Sequence, residues 1–350
     1  MLKELHHRFV LSLMVMGMFF SPGVQADSVK SKYALTSTQH LMGSTKWDYL
    51  TFDPVGQRLF ITRGNSVDVL DTNSKTVMGT MPNLDGVHGV TLVPSLNKGF
   101  ISEGKSNRVT VFDTTTLNVL TTLPVGQKPD AILYDSMTRR VFVADGDSND
   151  LSVIDAKTNV VIGTIKLNGA PEFAVVDGKG HLYINIEDKS QMSVVNTKTM
   201  KVTGYYNLTP GCDGPTGLAI DPAHHLLFST CANKHMMIVN ARNGKIIDVV
   251  DIGAHSDAAA FDPTTGLAFS SNGDGTLTVV DKGADGHYRV IQSVPTKVTA
   301  RTMALNPTTH EIYLSAAETD GFDPPTEKHP ESRPHVKPDT FMILTVSPTP

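Results

Sequence analysis

Six segments of this chain close on nearly the same phrase: Val67–Asp71 (VDVLD), Val109–Asp113 (VTVFD), Leu151–Asp155 (LSVID), Met192–Asn196 (MSVVN), Met236–Asn240 (MMIVN) and Leu277–Asp281 (LTVVD). Their final residues are separated by 42, 42, 41, 44 and 41 positions. A seventh copy, Phe341–Thr345 (FMILT), follows 64 positions later, so about 22 residues are inserted before it. A period of about 40–45 residues made of short strands marks units that cannot bury an apolar face alone and must stack on their neighbours; the repeat reads as propeller blades. No stretch reads as a long amphipathic helix.

Each repeat reads as four strands with period-2 alternation. The first ends in an Asp-Pro type of turn at Asp53-Pro54, Asp221-Pro222, Asp262-Pro263 and Asn306-Pro307. Proline suits that place because it cannot donate to a ladder and pre-sets a turn. The second strand carries an aromatic residue near its start, as in Arg58–Thr62, Arg140–Ala144 and Glu311–Ser315. The quoted phrase is the third strand. A polar turn then leads to a fourth, such as Val160–Ile165 or Lys245–Val250. The seventh repeat stops after its third strand, and Tyr33–Met42 has strand character. That segment is expected to supply the missing outer strand and close the ring, which protects the sheet edges. The expected fold is an all-β, seven-bladed propeller spanning 27–350 as one domain, with a blade-seven insertion at about 317–338.

The residues carry a resemblance. Arg140–Asp145, the phrase ending at Asp155 and Lys157–Ile165 (KTNVVIGTI) resemble the bacterial YVTN-type propeller repeat, and the whole-chain organisation is similar to the secreted YncE-like propellers. The match runs from about Tyr33 to Pro350. It implies a binding or scaffolding role and no shared reaction, and it carries over no catalytic set.

Residues 1–26 read as a secretory signal. Lys3, His6, His7 and Arg8 precede an apolar run from Phe9 to Phe20, and Val24-Gln25-Ala26 forms a small-x-small cleavage site. The run is short for a bilayer span, which leaves an uncleaved anchor as the lesser alternative. No second long apolar stretch follows. The expected location is periplasmic, with no membrane span after cleavage. Net charge is −5 for the full chain, and about −6 (28 basic, 34 acidic) without the signal. With no basic runs, a strong nucleic-acid surface is not expected. The two cysteines, Cys212 and Cys231, both fall on one face of one blade, which argues for a disulfide in an oxidising compartment; the alternative is two buried thiols.

Propeller ligands bind around the axis, on the face carrying the 4→1 and 2→3 loops. Alignment of the repeats on the turn after the first strand gives one equivalent position per blade: Asp48, His88, Asp130, Glu172, Thr216, Asp257 and Arg301. Trp47 sits beside them, and the 2→3 loops add Arg63, Glu103, Asp145, Glu187, Cys231 and Asn272. The candidate ligand site is Trp47, Asp48, Arg63, His88, Asp130, Glu172, Asp257 and Arg301. The carboxylates suit a hard cation, and His88 widens the choice to transition metals, with Asp130, Glu172, Asp257 and His88 as candidate ligands. The bland alternative is a solvated channel mouth in which Arg63 and Arg301 pair with Asp48 and Asp257.

The insertion, Glu318–Asp339, is rich in proline and titratable groups, including His329 and His335, and reads as a lid, a docking arm or a solvated loop. His181, His224, His225 and His310 fall at first-to-second strand turns on the opposite face and read as surface residues. No phosphate loop, Gly-x-Ser-x-Gly elbow, zinc-type Cys/His spacing or haem motif is present. The expected function is a non-enzymatic periplasmic binding or scaffold propeller, with a small polar ligand or an envelope protein as partner and no certain cofactor, a divalent metal being the one candidate. The alternative is a metal-assisted hydrolase of lactonase type on the same face, with His88 or a carboxylate of raised pKa as base and Arg301 at the oxyanion.

Overall fold

The Asp or Asn that closes each third strand has a local job. Asp71 Oδ1 accepts the N–H groups of Asn73 and Ser74 at 2.9 and 2.7 Å. Asp113, Asp155 and Asn196 repeat the arrangement with the two N–H groups that follow at the same offsets. The side chain thus mimics a turn of backbone and stops the strand. Backbone hydrogen bonds to the carboxylate pull Asp71, Asp113 and Asp155 below the usual carboxylate range. The fifth residue of the turn is then left-handed: Lys75, Leu117, Asn159, Met200 and Gly244 have φ of 57, 61, 58, 56 and 72°. The first strands end in the same way, with Asp53, Asp221, Asp262 and Asn306 accepting from the N–H two residues on.

In the computed structural model, which describes residues 32–44, 46–325 and 332–349, these turns connect seven four-stranded antiparallel sheets. Blade one is Leu50–Asp53, Arg58–Thr62, Val67–Asp71 and Thr76–Met81, and the next five follow the same order. Blade seven takes Thr302–Leu305, Ile312–Ala316 and Met342–Thr349, and its outer strand is Lys32–His40. That strand pairs antiparallel with the last, from Lys32 opposite Thr349 to His40 opposite Met342. Closure by the N-terminal strand is therefore as the repeat count required. The strand is also tied to blade six, because the Gln292 amide both accepts from Tyr33 N–H (2.8 Å) and donates to its carbonyl (2.7 Å). Residues 1–26, read as a signal, lie outside the described residues. Among the described residues, helix is confined to two 3-10 turns, Pro94–Leu96 and Glu187–Lys189, and none there is long and apolar enough to cross a membrane.

Apolar residues of facing sheets meet between blades. Phe60, Val69 and Met81 of blade one pack with Val90, Ile101 and Phe112 of blade two, all nearly inaccessible. The aromatic of each second strand, Phe60, Phe100, Phe142, Tyr183, Phe228, Phe269 and Tyr313, is buried in such a seam. Cys212 and Cys231 are bonded, with Cα atoms 5.4 Å apart, and both are buried in blade five.

Candidate ligand site on the axial face

Each ring residue opens or precedes the innermost strand of its blade, and at five of the seven the backbone carbonyl is held by the blade before it. Thr302 Oγ1 donates to the carbonyl of Asp48 (2.9 Å), Tyr49 N–H to that of His88 (3.2 Å), Ser102 Oγ to that of Asp130 (2.5 Å), Asn185 Nδ2 to that of Thr216 (2.8 Å) and Ser271 Oγ to that of Arg301 (2.5 Å). The donors are mostly hydroxyls at the inner ends of the strands. The side chains above the axis are therefore carried on a belt whose geometry is set blade by blade, as a pre-organised site requires.

Two groupings form on that belt. His88 Nδ1 is 2.5 Å from Asp48 Oδ2 and 3.6 Å from Asp130 Oδ1. One ligand atom from each of Asp48, His88 and Asp130 lies within 4.8 Å of the others, the one such cluster among the described residues. Asp130 Oδ1 is buried and has no hydrogen-bond partner. The other side of the imidazole rests on Gly104, where a Cβ would come within 2.6 Å of Nε2. The second grouping is Arg301 Nε with Asp257 Oδ2 at 3.1 Å. Glu172 and Asp257 stand outside the first cluster, so of the four expected metal ligands the structure brings His88 and Asp130 together and adds Asp48.

The electrostatics follow from crowding. Burial pushes Asp130 up to about 6, and Asp48 and Asp257 add to it against the pull of His88 and Lys128. Burial, then Asp130, Asp257 and Glu187, push Glu172 well above the usual carboxylate range. Burial raises Asp257 too, against Arg301. For His88, burial opposes the charge, but the hydrogen bond to Asp48 and the field of both carboxylates win and raise its pKa. The floor is Tyr49, whose phenol burial and the charges of Glu172, Asp130, Asp48 and Asp257 push well above its usual value.

The outer polar set reads differently. Arg63, Glu103, Asp145, Cys231 and Asn272 are buried to 2% exposure or less. Arg63 does not pair with Asp48. Its Nη1 donates to Asp68 at 3.0 Å, its other nitrogens to the carbonyls of Met42 and Ser44, and its guanidinium lies 4.1 Å above the Phe341 ring. Glu103 is bound by Arg108 and Thr110, Asp145 by Ser152, and Asn272 by Thr276 and Thr278. These groups clamp the second strand to the third within a blade. Blade four has Ile186 at the equivalent place, and the hydroxyl of Ser193 on the neighbouring third strand is buried without a partner. Glu187, the residue named for that blade, is exposed. Trp47 packs on Phe341 with ring centroids 5.4 Å apart, its Nε1 buried and unpaired. Thr216 donates through Oγ1 to the Ser256 carbonyl at 2.7 Å.

The described part of the insertion is a hairpin, Thr319–Asp323 with Arg333–Val336. His335 Nδ1 is 2.5 Å from Asp320, and Lys297 holds Glu318 at its base at 2.6 Å. Arg333 lowers Asp257 electrostatically, so the hairpin reaches the field of the ring. His329 lies outside the described residues.

The chain matches no model of a known protein family and no curated protein. Solved structures do resemble it. A chain of the Kuenenia stuttgartiensis hydrazine synthase superposes with a TM-score of 0.68 at 16% identity, over 78% of this chain and 94% of that one. A chain of a mitotic checkpoint complex superposes with a TM-score of 0.71 at 15% identity, over 88% of this chain and 95% of that one. The likeness is one of fold. Sheets, ring closure and these superpositions together define the class: a seven-bladed β-propeller.

Proposed function

We propose that this protein is a non-enzymatic binding propeller of the secreted YVTN type, working in the periplasm as a single domain after removal of residues 1–26, and that the axial cup holds a divalent transition-metal ion. The observation that carries the reading is the convergence of Asp48, His88 and Asp130 within 4.8 Å around a buried carboxylate oxygen, Asp130 Oδ1, that has no hydrogen-bond partner. One imidazole with two carboxylates is a donor set for zinc or manganese rather than for a soft metal. A cation there would offset the burial, and the field of Asp48, that raise Asp130. The field that Arg333 exerts on Asp257 supports reading the hairpin as a lid or partner-docking arm.

The lactonase-type alternative needs His88, or a carboxylate of raised pKa, as a proton acceptor facing substrate and Arg301 at an oxyanion. His88 Nδ1 faces Asp48 and Nε2 faces the Gly104 backbone, and Arg301 Nε is engaged by Asp257. Both contacts favour ligation over turnover. Titration of the metal-free mature protein with zinc or manganese chloride is the test. We expect one ion per chain, with affinity falling about 100-fold in His88→Ala and Asp130→Asn. Equal uptake by the Asp48→Asn/His88→Ala/Asp130→Asn variant would remove the assignment. Divalent-dependent lactone hydrolysis lost in His88→Ala would favour the enzyme.

A further inference from the structure

The fourth strand of each blade presents one residue, opposite the middle of the third strand, to the turn of the next blade. These residues are Gly79, Thr121, Gly163, Gly204, Asp248 and Gln292 in blades one to six. At most of these places the structure shows what occupies the seam. A Cβ on Gly79 would come within 2.8 Å of Leu117, and one on Gly163 within 2.4 Å of Met200. Asp248 binds His287 Nδ1 and Tyr288 N–H, both at 2.9 Å. Gln292 binds the Tyr33 backbone. Leu117 and Met200 are the left-handed fifth residues of their turns, a backbone state that bulky side chains seldom adopt. They tolerate it while their side chains plug the notch above the neighbouring glycine.

The seam between blades four and five lacks that plug. Its turn residue is Gly244, left-handed at φ 72° and with no side chain to lend. Nothing lies within 4 Å of a Cβ built on Gly204. The notch opens instead into a pocket of about 490 Å³ lined by Tyr183, Tyr206, Gly204, Lys179, His225 and Arg242, among others. Tyr206 leans on Gly244, where a Cβ would meet its ring at 2.3 Å, and lies 6.4 Å from the Tyr183 ring in a stacked orientation. Both phenols donate to the Ala241 carbonyl at 2.9 Å, which fixes the two rings as one wall.

The charge at the pocket is sorted. Asp177 also lines the pocket, but its carboxylate is taken up by the N–H groups of Lys179 and His181 and by the His181 ring at 2.8 Å. Lys179 and Arg242 are exposed at the rim. Arg242 donates to His225 Nε2 at 2.6 Å, and its remaining donors carry no side-chain partner among the described residues. His225 is therefore an acceptor, and the pocket presents two cations over an aromatic wall and a flat strip of glycine backbone.

We propose that this seam is a second binding site, on the opposite side from the axial cup, for a small planar aromatic carboxylate. The ring of the ligand lies on Gly204 and against Tyr206, and its carboxylate reaches the free edge of the Arg242 guanidinium. The volume falls in the range of small-molecule sites, and one or two fused rings fit it.

Calorimetric titration of the whole protein with 2-naphthoate, alongside the uncharged 2-naphthamide, tests this. We expect one site with a Kd on the order of 0.1 mM, weakened about tenfold in Arg242→Gln and about tenfold for the amide. Gly204→Leu, whose side chain enters open space, is expected to abolish binding while leaving the melting temperature unchanged. No heat from 2-naphthoate at several times that concentration would overturn the proposal. So would undiminished binding to folded Gly204→Leu, or equal affinity for the amide. The axial variants His88→Ala and Asp130→Asn are expected to bind 2-naphthoate normally; its loss in them would move the ligand to the cup and overturn the seam site.

Discussion

Tyr49 of blade one and Phe173 of blade four meet edge to face, with ring centroids 5.3 Å apart and planes at 71°. In a ring of seven these blades face each other across the axis, so the pair closes the central channel beneath the acidic ring. At the same position the other blades carry Gly89, Ala131, Gly217, Ala258 and Thr302. Small residues are needed there because the inner strands approach closely: a Cβ on Gly217 would fall 2.6 Å from the Ala258 backbone. Two large rings fill the space that five small residues leave. The axial face is thus a cup with a floor, and its carboxylates are crowded above the two rings.

Truncating that floor is expected to be costly. Tyr49→Ala should destabilise the protein by about 3 kcal/mol, because Tyr49 is almost fully buried and little can collapse into its place. Urea unfolding measures this. A loss under about 1 kcal/mol would mean that the ring does not rest on the pair.

Protonation of the cup should stabilise the fold. Asp130, at about 6 in the native state, and Glu172, pushed well up by burial, hold protons that an unfolded chain releases near pH 4. The native state then binds more protons than the unfolded one, so the slope of stability against pH is negative from about pH 4 upward. Asp145, raised to about 7 by burial and Asp150, acts in the same direction. His88 does too: its raised pKa contributes stability below its unfolded value near 6.5, lost as pH rises through the folded one. The melting temperature of the metal-free protein is expected to be several degrees higher at pH 5 than at pH 8, and Asp130→Asn should reduce the difference. A melting temperature that rises with pH across this window would contradict the crowding.

Arg63 was a candidate for the ligand ring, and the structure gives it another task. Arg63→Leu is expected to cost about 3 kcal/mol or more, because it leaves Asp68 largely buried beside Thr80 without its cation. The same change should leave metal uptake by the cup intact. Thermal melts and metal titration of one variant separate the two roles.

Blade four offers an internal control for the clamps between second and third strands. The Ser152 hydroxyl donates to buried Asp145 at 2.7 Å, whereas the Ser193 hydroxyl has no partner. Ser152→Ala should destabilise by about 1–2 kcal/mol and Ser193→Ala by nothing measurable. Equal losses at both positions would argue against the clamp.

The Cys212–Cys231 bond closes a separation of 19 residues inside one blade. Its removal by paired serine substitution is expected to cost about 3 kcal/mol in the loop-entropy picture. Because the ring carbonyls are pinned by other residues, the cup should keep its metal affinity below the lowered melting point.

Strands, turns, blade number and ring closure were legible in the residues because each depends on local chemistry repeated seven times. The closing Asp or Asn binds N–H groups two and three positions away, and alternation decides which side chains enter the seam. The ring positions were legible as well, since equivalent places in a repeat must share a radius. Which ring residues touch was not. Asp48, His88 and Asp130 come from three blades, at separations of 40 and 42 positions, and no spacing rule joins them. The Tyr49–Phe173 floor had a visible signal, two aromatics among small residues, that only opposition across the axis explains.

The sequence by itself determined the architecture, the face on which polar residues gather and the cysteine pair, because a repeat imposes one geometry on every copy. The tertiary structure alone decided the exceptions: Arg63 drawn to Asp68 instead of Asp48, His88 placed between two carboxylates, and the seam that Gly244 leaves open above Gly204. The physical reason is that contacts between blades depend on the packing of side chains some forty residues apart. A pattern that repeats shows what the copies share, and both proposed sites lie where they differ.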